Sequence, residues 1–339
     1  RPYYSVRRWG SFHFMAMLSH FPTHFTCDSS PTIRVGGSEV NLGFPPMGIS
    51  LWTLFFREKG GENPDLGYDC PVTYLEELNP AQKEAVLHTE GPLLILAGAG
   101  AGKTKTITYR ILHLIHQGVA PEEILAVTFT NKAAKEMRER VFSLVGKQEK
   151  YVHLGRNAPL VSTFHALGVF ILRAHANLIG LPKSFTILDR DDSVRLMREA
   201  VQATGYDPKQ YEPRRLLSAI SSQKGEGVTV SEYRETVKGY FPTVVATVWE
   251  KYNALLREEK GLDFDDLLVA TVHLLKKNPD VLKAYQEKWK YVHVDEYQDT
   301  NKIQHELSRL LAAPQNNICV VGDIDQTIYT WRGAQIEHL

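Results

Sequence analysis

The run Leu96-Ala97-Gly98-Ala99-Gly100-Ala101-Gly102-Lys103-Thr104 follows an apolar stretch, Pro92 to Leu96, and opens a helical pattern. Glycines at this spacing let main-chain N–H groups turn inward around phosphate oxygens, and the N-terminus of the helix behind them adds positive potential. Lys103 contributes a full charge and Thr104 a hydroxyl able to ligate Mg²⁺, so the segment carries the chemistry of a nucleoside triphosphate site. Ala97 stands where the general pattern asks for glycine, while the chemically committed positions Gly102, Lys103 and Thr104 are in place.

Further along, Val294-Asp295-Glu296 ends an apolar strand in two adjacent carboxylates. Strand alternation sends neighbouring side chains to opposite faces, which leaves each acid free for a separate task. Asp295 is expected to hold Mg²⁺, chiefly through water, and Glu296 to accept the proton of an attacking water. Acidic pairs at strand ends are often only solvated; this one has a phosphate loop upstream and Tyr297-Gln298-Asp299-Thr300 directly behind it. A third strand end, from Val321 to Ala334, brings Gln326, whose amide can report on a γ-phosphate, followed by Tyr329, Trp331 and Arg332. Bases stacked on the two rings would contribute about 1–3 kcal/mol each, and the guanidinium can meet phosphate or a carboxylate. Gln82, roughly a helix and a strand ahead of the phosphate loop, has an amide that can satisfy adenine N6 and N7 together.

The elements that must position these groups alternate between strand and helix. Pro92 to Leu96, Ile124 to Thr128, Leu160 to Thr163, Tyr291 to Val294 and Ile318 to Val321 are short apolar runs with polar ends, as buried parallel strands are. Ligands of open α/β sheets collect at the carboxyl ends of strands, where Thr128-Phe129-Thr130-Asn131, Asp295-Glu296 and Gly322-Asp323 all fall. Leu75, Leu78, Ala81, Ala85 and Val86 form a helical face, and a helix is expected from Lys103 to about Gln117, closed by Gly118. Between 165 and 285 helical periodicity replaces the strands, as in 191–203, 244–259 and 264–277. That stretch reads as an all-helical subdomain inserted into a sheet domain made of 73–164 and 286–339. Residues 1–72 carry scattered aromatics without a sustained period, and read as an irregular extension or, preferably, as sequence outside the domain with no function assigned.

Composition sets outer bounds. The 339 residues, 43% of them hydrophobic, can build two or three globular domains. Acidic and basic residues balance at 39 each, which argues against histone-like binding through a global positive field and leaves only local patches for a nucleic acid. Cys27, Cys70 and Cys319 are far apart and match neither a disulfide framework nor a zinc site, so a reducing cytoplasmic setting is expected. The longest apolar stretches are too short and too interrupted to span a bilayer, and no membrane association is expected.

Taken together, Leu78-Asn-Pro-Ala-Gln82, Ala97 to Thr104, Thr128-Phe-Thr-Asn-Lys-Ala-Ala134, Thr163-Phe164-His165, Val294-Asp-Glu-Tyr-Gln-Asp-Thr-Asn301 and Val321 to Ala334 resemble the superfamily 1 DNA helicases of the UvrD/Rep/PcrA type, from about residue 73 onward. The resemblance implies a RecA-like α/β parallel-sheet domain with an inserted all-helical subdomain, ATP and Mg²⁺ as cofactors, and hydrolysis driven by single-stranded DNA with 3′ to 5′ movement. It implies that Gln82 reads adenine and that Ala97, Gly98, Ala99, Gly100, Ala101, Gly102, Lys103, Thr104 and Lys105 hold the nucleotide. Glu296, Lys103 and Gln326 would be catalytic, with Thr104 and Asp295 on the metal. Phe129, Asn131, Thr163, Phe164, His165, Tyr329, Trp331 and Arg332 would meet DNA.

Helicases of this type continue into a second RecA-like domain carrying arginines that complete the ATP site, so this chain is expected to be an N-terminal fragment with weak turnover and no unwinding of its own. A 3′-tailed duplex would be the substrate of the full-length enzyme. A helicase part of a helicase-nuclease and a nucleotide-gated single-strand binding module are the alternatives. A small-molecule kinase suits neither the long interval between Lys103 and Asp295 nor the Tyr329/Trp331 pair.

Overall fold

Apolar runs become a sheet because each buries both faces. The computed structural model describes residues 73–146 and 158–323 and the strand segments 4–5, 32–35 and 38–41. In chain order these form β1 (Tyr4–Ser5), β2 (Thr32–Val35), β3 (Ser38–Asn41), α1 (Pro80–Leu87), β4 (Leu93–Ala97), α2 (Lys103–His116), β5 (Ile124–Thr128), α3 (Asn131–Gly146), β6 (Leu160–Thr163) and α4 (Phe164–Ala174). They continue as β7 (Thr186–Ile187), α5 (Arg190–Ala203), α6 (Pro213–Gly225), α7 (Val230–Thr236), α8 (Tyr240–Glu258), β8 (Gly261–Leu262), α9 (Phe264–Lys277), α10 (Pro279–Lys288), β9 (Tyr291–Val294), α11 (Lys302–Ala312) and β10 (Ile318–Gly322). β2 and β3 pair antiparallel inside a separate unit, Ser19–Thr73.

The main sheet runs β1-β4-β10-β9-β5-β6, with β4, β10, β9, β5 and β6 parallel and the two residues of β1 antiparallel to β4. Alternation sorts the side chains. Leu93, Ile95, Ala126, Cys319 and Val321 face a core shared with α2 and α3, whereas Leu94, Leu96, Leu125, Val127, Val294 and Val320 face one shared with α4, α9, α10 and α11. The result is a three-layer α/β/α sandwich whose five parallel strands exit toward the same edge. A third apolar core, from Leu188 to Leu256, belongs to α5, α6 and α8.

Local chemistry sets where the helices begin. The single helical face read from Leu75 to Val86 is instead a 3₁₀ turn, Thr73–Glu77, followed by α1. Pro80 opens α1, where its missing N–H costs nothing, and Asn79 and Gln82 close a capping box around that start. Asp263 caps α9 through the Asp266 N–H at 2.8 Å, and Asn301 and Gln304 box the start of α11. Among the described residues no helix is long and apolar enough to cross a membrane.

Candidate nucleotide and nucleic-acid site

β4 ends at Ala97, and the chain turns through 98–102 before α2 begins at Lys103. Gly100 and Gly102 take φ values of +72° and +87°, a region L side chains rarely adopt. A Cβ at 102 would also lie 2.7 Å from Gln82 Nε2, so that amide would have to shift. That nitrogen donates to the Ala101 carbonyl at 2.9 Å while Gln82 Oε1 accepts from the Asn79 N–H at 3.1 Å. Both ends of the amide expected to read adenine are therefore turned to the protein's own backbone, bracing the phosphate loop from behind.

Lys103 is only 9% exposed. Its Nζ lies 3.3 Å from Asp323 Oδ2 and 3.8 Å from Glu296 Oε2, and Thr104 Oγ1 donates to Asp295 Oδ2 at 3.4 Å. Three strand ends thus converge on the start of α2. The ladder carries Asp295 into place, since its N–H donates to the Val127 carbonyl at 2.9 Å. Glu296 is not separated from Asp295 by strand alternation. β9 stops at Val294, and Glu296 turns with φ +51°, a conformation that costs a non-glycine residue roughly 1–3 kcal/mol and persists where the surroundings over-determine it. The Glu296 N–H folds back onto Asp295 Oδ1 at 3.0 Å.

Burial raises the Asp295 carboxyl to about 6, the Glu296 carboxylate pushes it the same way, and the Glu296 N–H, Lys103 and Thr104 oppose the rise. A desolvated carboxylate facing a hydroxyl is a pair of hard oxygen donors that a divalent cation would favour in its charged form. Among the described residues no group of three or more His, Cys, Asp or Glu side chains gathers as a metal site. The donors that are present fit Mg²⁺, which takes one or two protein ligands and completes its shell with phosphates and water.

Neighbouring strand ends carry the residues assigned to nucleic acid. Phe129 follows β5 and meets Phe164 edge-on, with centroids 5.7 Å apart. Thr130 Oγ1 accepts from the Ala133 N–H at 3.1 Å, so Asn131 is exposed at the first turn of α3. Thr163 caps α4 by accepting from the Ala166 N–H at 3.2 Å. Phe164, grouped with the DNA face from the sequence, is a core residue at 2% exposure and supports Phe129 from below. His165 stacks on Phe264 at 4.0 Å, and Phe264 is 56% exposed at the first position of α9. In the sequence Phe264 shows only a helical period at a helix start, and Asp323 and Gln298 fall inside strand-end motifs that give them no role of their own. Gln326, Tyr329, Trp331 and Arg332 lie outside the described residues.

Parallel order β4-β10-β9-β5-β6, with a glycine turn at the carboxyl end of β4 feeding α2, places the molecule among RecA-like phosphate-loop NTPase domains, here with a helical insertion. Residues 78–339 match the family described as UvrD/REP helicase N-terminal domain, and the chain belongs to that family. It is 46% identical over 266 residues to a protein named ATP-dependent DNA helicase PcrA from Staphylococcus aureus (strain Mu50 / ATCC 700699), covering 78% of this chain and 36% of that protein. Identity to the protein of the same name from Staphylococcus epidermidis (strain ATCC 12228 / FDA PCI 1200) is 45% over the same coverage. The chain spans about a third of the length of these curated relatives.

Proposed function

We propose that the chain binds Mg²⁺-ATP and hydrolyses it as the motor domain of a cytoplasmic DNA helicase that tracks 3′ to 5′ along single-stranded DNA. The observation that carries this reading is the placement of Lys103 Nζ between Glu296 and Asp323 with Thr104 on Asp295, five side chains around one helix N-terminus. Main-chain N–H groups of the loop and the Lys103 ammonium take the phosphates, which displace Asp323 as the partner of that ammonium. Mg²⁺, when bound, supplies charge neutralisation on the phosphate oxygens. Thr104 and Asp295 would hold it. Glu296 accepts the proton of the attacking water, in a position fixed by its left-handed backbone. Phe129 and the His165–Phe264 pair offer ring faces for stacked bases, with the start of α3 and the Thr163 cap at the phosphates.

ATP turnover by the chain, with and without single-stranded DNA, tests this. Wild-type turnover rises with DNA; Glu296→Gln lowers it by about 10²–10⁴-fold while nucleotide still binds. Phe264→Ala keeps basal turnover and weakens DNA stimulation. Undiminished turnover in Glu296→Gln would contradict the assignment, and ATP-dependent DNA binding without any turnover would favour a nucleotide-gated binding module.

A further inference from the structure

Gln82 is buried in the first turn of α1, and its carboxamide serves two elements at once. Oε1 accepts from the Asn79 N–H at 3.1 Å and completes the capping box of α1, while Nε2 donates to the Ala101 carbonyl at 2.9 Å. The first bond fixes where the carboxamide stands. The second fixes one peptide of the phosphate loop.

That peptide matters because a trans peptide unit is planar, with its carbonyl and the following N–H pointing opposite ways. Holding the Ala101 carbonyl toward α1 turns the Gly102 N–H away from α1. On the far side, Gly102 sits at φ +87° and its own carbonyl accepts from the Thr106 N–H at 2.9 Å, closing the first turn of α2. The end of the loop is therefore gripped from α1 and from α2 together. A loop that takes phosphate through main-chain N–H groups gains affinity when those groups are already aimed, because less conformational freedom is lost on binding.

We propose that Gln82 is a positioning residue for the phosphate loop, and that its bond to the Ala101 carbonyl sets affinity for the polyphosphate of the nucleotide whatever base that nucleotide carries. The proposal rests on the Mg²⁺-ATP reading above and departs from the adenine-reading role that the resemblance implies for this amide. A reader of adenine presents its oxygen and nitrogen to the edge of the base; here the same two atoms are directed at the Asn79 and Ala101 backbone.

The test is a calorimetric titration of the chain with three Mg²⁺ complexes: ATP, GTP and tripolyphosphate, which has no base. Gln82→Met keeps the length of the side chain and loses both bonds, whereas Gln82→Glu keeps the capping acceptor and loses only the donor to Ala101. Gln82→Met is expected to weaken all three ligands by a common factor, roughly fivefold or more for one lost buried hydrogen bond, and Gln82→Glu to weaken all three as well. Asn79→Ala damages the same helix start and leaves the loop bond in place, so it should lower the melting temperature without changing any of the three affinities. A loss confined to ATP would make Gln82 a reader of adenine and overturn the proposal. So would an unchanged tripolyphosphate affinity in either Gln82 variant, or an Asn79→Ala defect equal to that of Gln82→Met. A folded wild-type chain that binds none of the three would instead refute the underlying ATP-site reading.

Discussion

Asp295 shows what the site costs the fold. Its carboxyl is raised from an ordinary 3.8 to about 6, first by burial and then by Glu296, so the folded chain favours the protonated form. The stability this group contributes is present below about pH 4 and is lost as pH rises through about 6, leaving a penalty on the order of 3 kcal/mol at neutral pH in the absence of a cation. Asp295→Asn is therefore expected to stabilise the metal-free chain against urea at pH 7, and the gap over wild type should close as pH falls toward 4. A gap that does not change with pH would contradict the burial argument. Lys103, Thr104, Asp295 and Glu296 are legible in the sequence together rather than singly, because an acidic pair behind an apolar run, often only solvated, gains a task when an ammonium and hydroxyl follow glycines upstream. The Asp323 contact to Lys103 and the Gln298 bridge between Glu296 and the Asp323 N–H are not, since they depend on the left-handed turn at Glu296, which nothing in the residue types announces.

At the level of elements, the five parallel strands were readable because a strand buried on both faces appears as an unbroken apolar run, and each lies within a residue of where Pro92 to Val321 places it. Helix starts were harder. Asn79-Pro80 splits what looks like one helical face, and the aromatic at position 264 comes against His165 because α9 begins there. The least legible feature is the joint between α6 and α9. Lys224, buried at the end of α6, lies 2.7 Å from both Asp263 Oδ2 and Asp266 Oδ1, and the Tyr252 hydroxyl on α8 donates to Asp263 at 3.1 Å. Burial works against the lysine charge, and the two carboxylates outweigh it; burial and Asp263 raise Asp266 to about 7. Removing one partner of such a cluster leaves buried charge uncompensated, so Lys224→Met should cost about 3–5 kcal/mol in chemical denaturation. A loss under about 1 kcal/mol would mean that solvent reaches the joint.

Among the described residues, the sandwich and the helical core from Leu188 to Leu256 bury separate sets of side chains, and the candidate nucleotide site lies at the sheet edge where the strand ends and the loop before α2 meet. A ligand that binds only there stabilises the folded chain by mass action, about 2.7 kcal/mol at a hundred times its dissociation constant, so Mg²⁺-ATP should raise the melting temperature and ATP with chelator should not. The most direct measurement is a calorimetric titration of Mg²⁺-ATP into the chain, Lys103→Ala and Asp295→Asn, each shown by its melting curve to be folded. One saturable site in wild type, lost in Lys103→Ala and stripped of its Mg²⁺ dependence in Asp295→Asn, is the predicted result. No binding by the folded wild type, or binding that neither substitution alters, would contradict the assignment of this cluster as the nucleotide site.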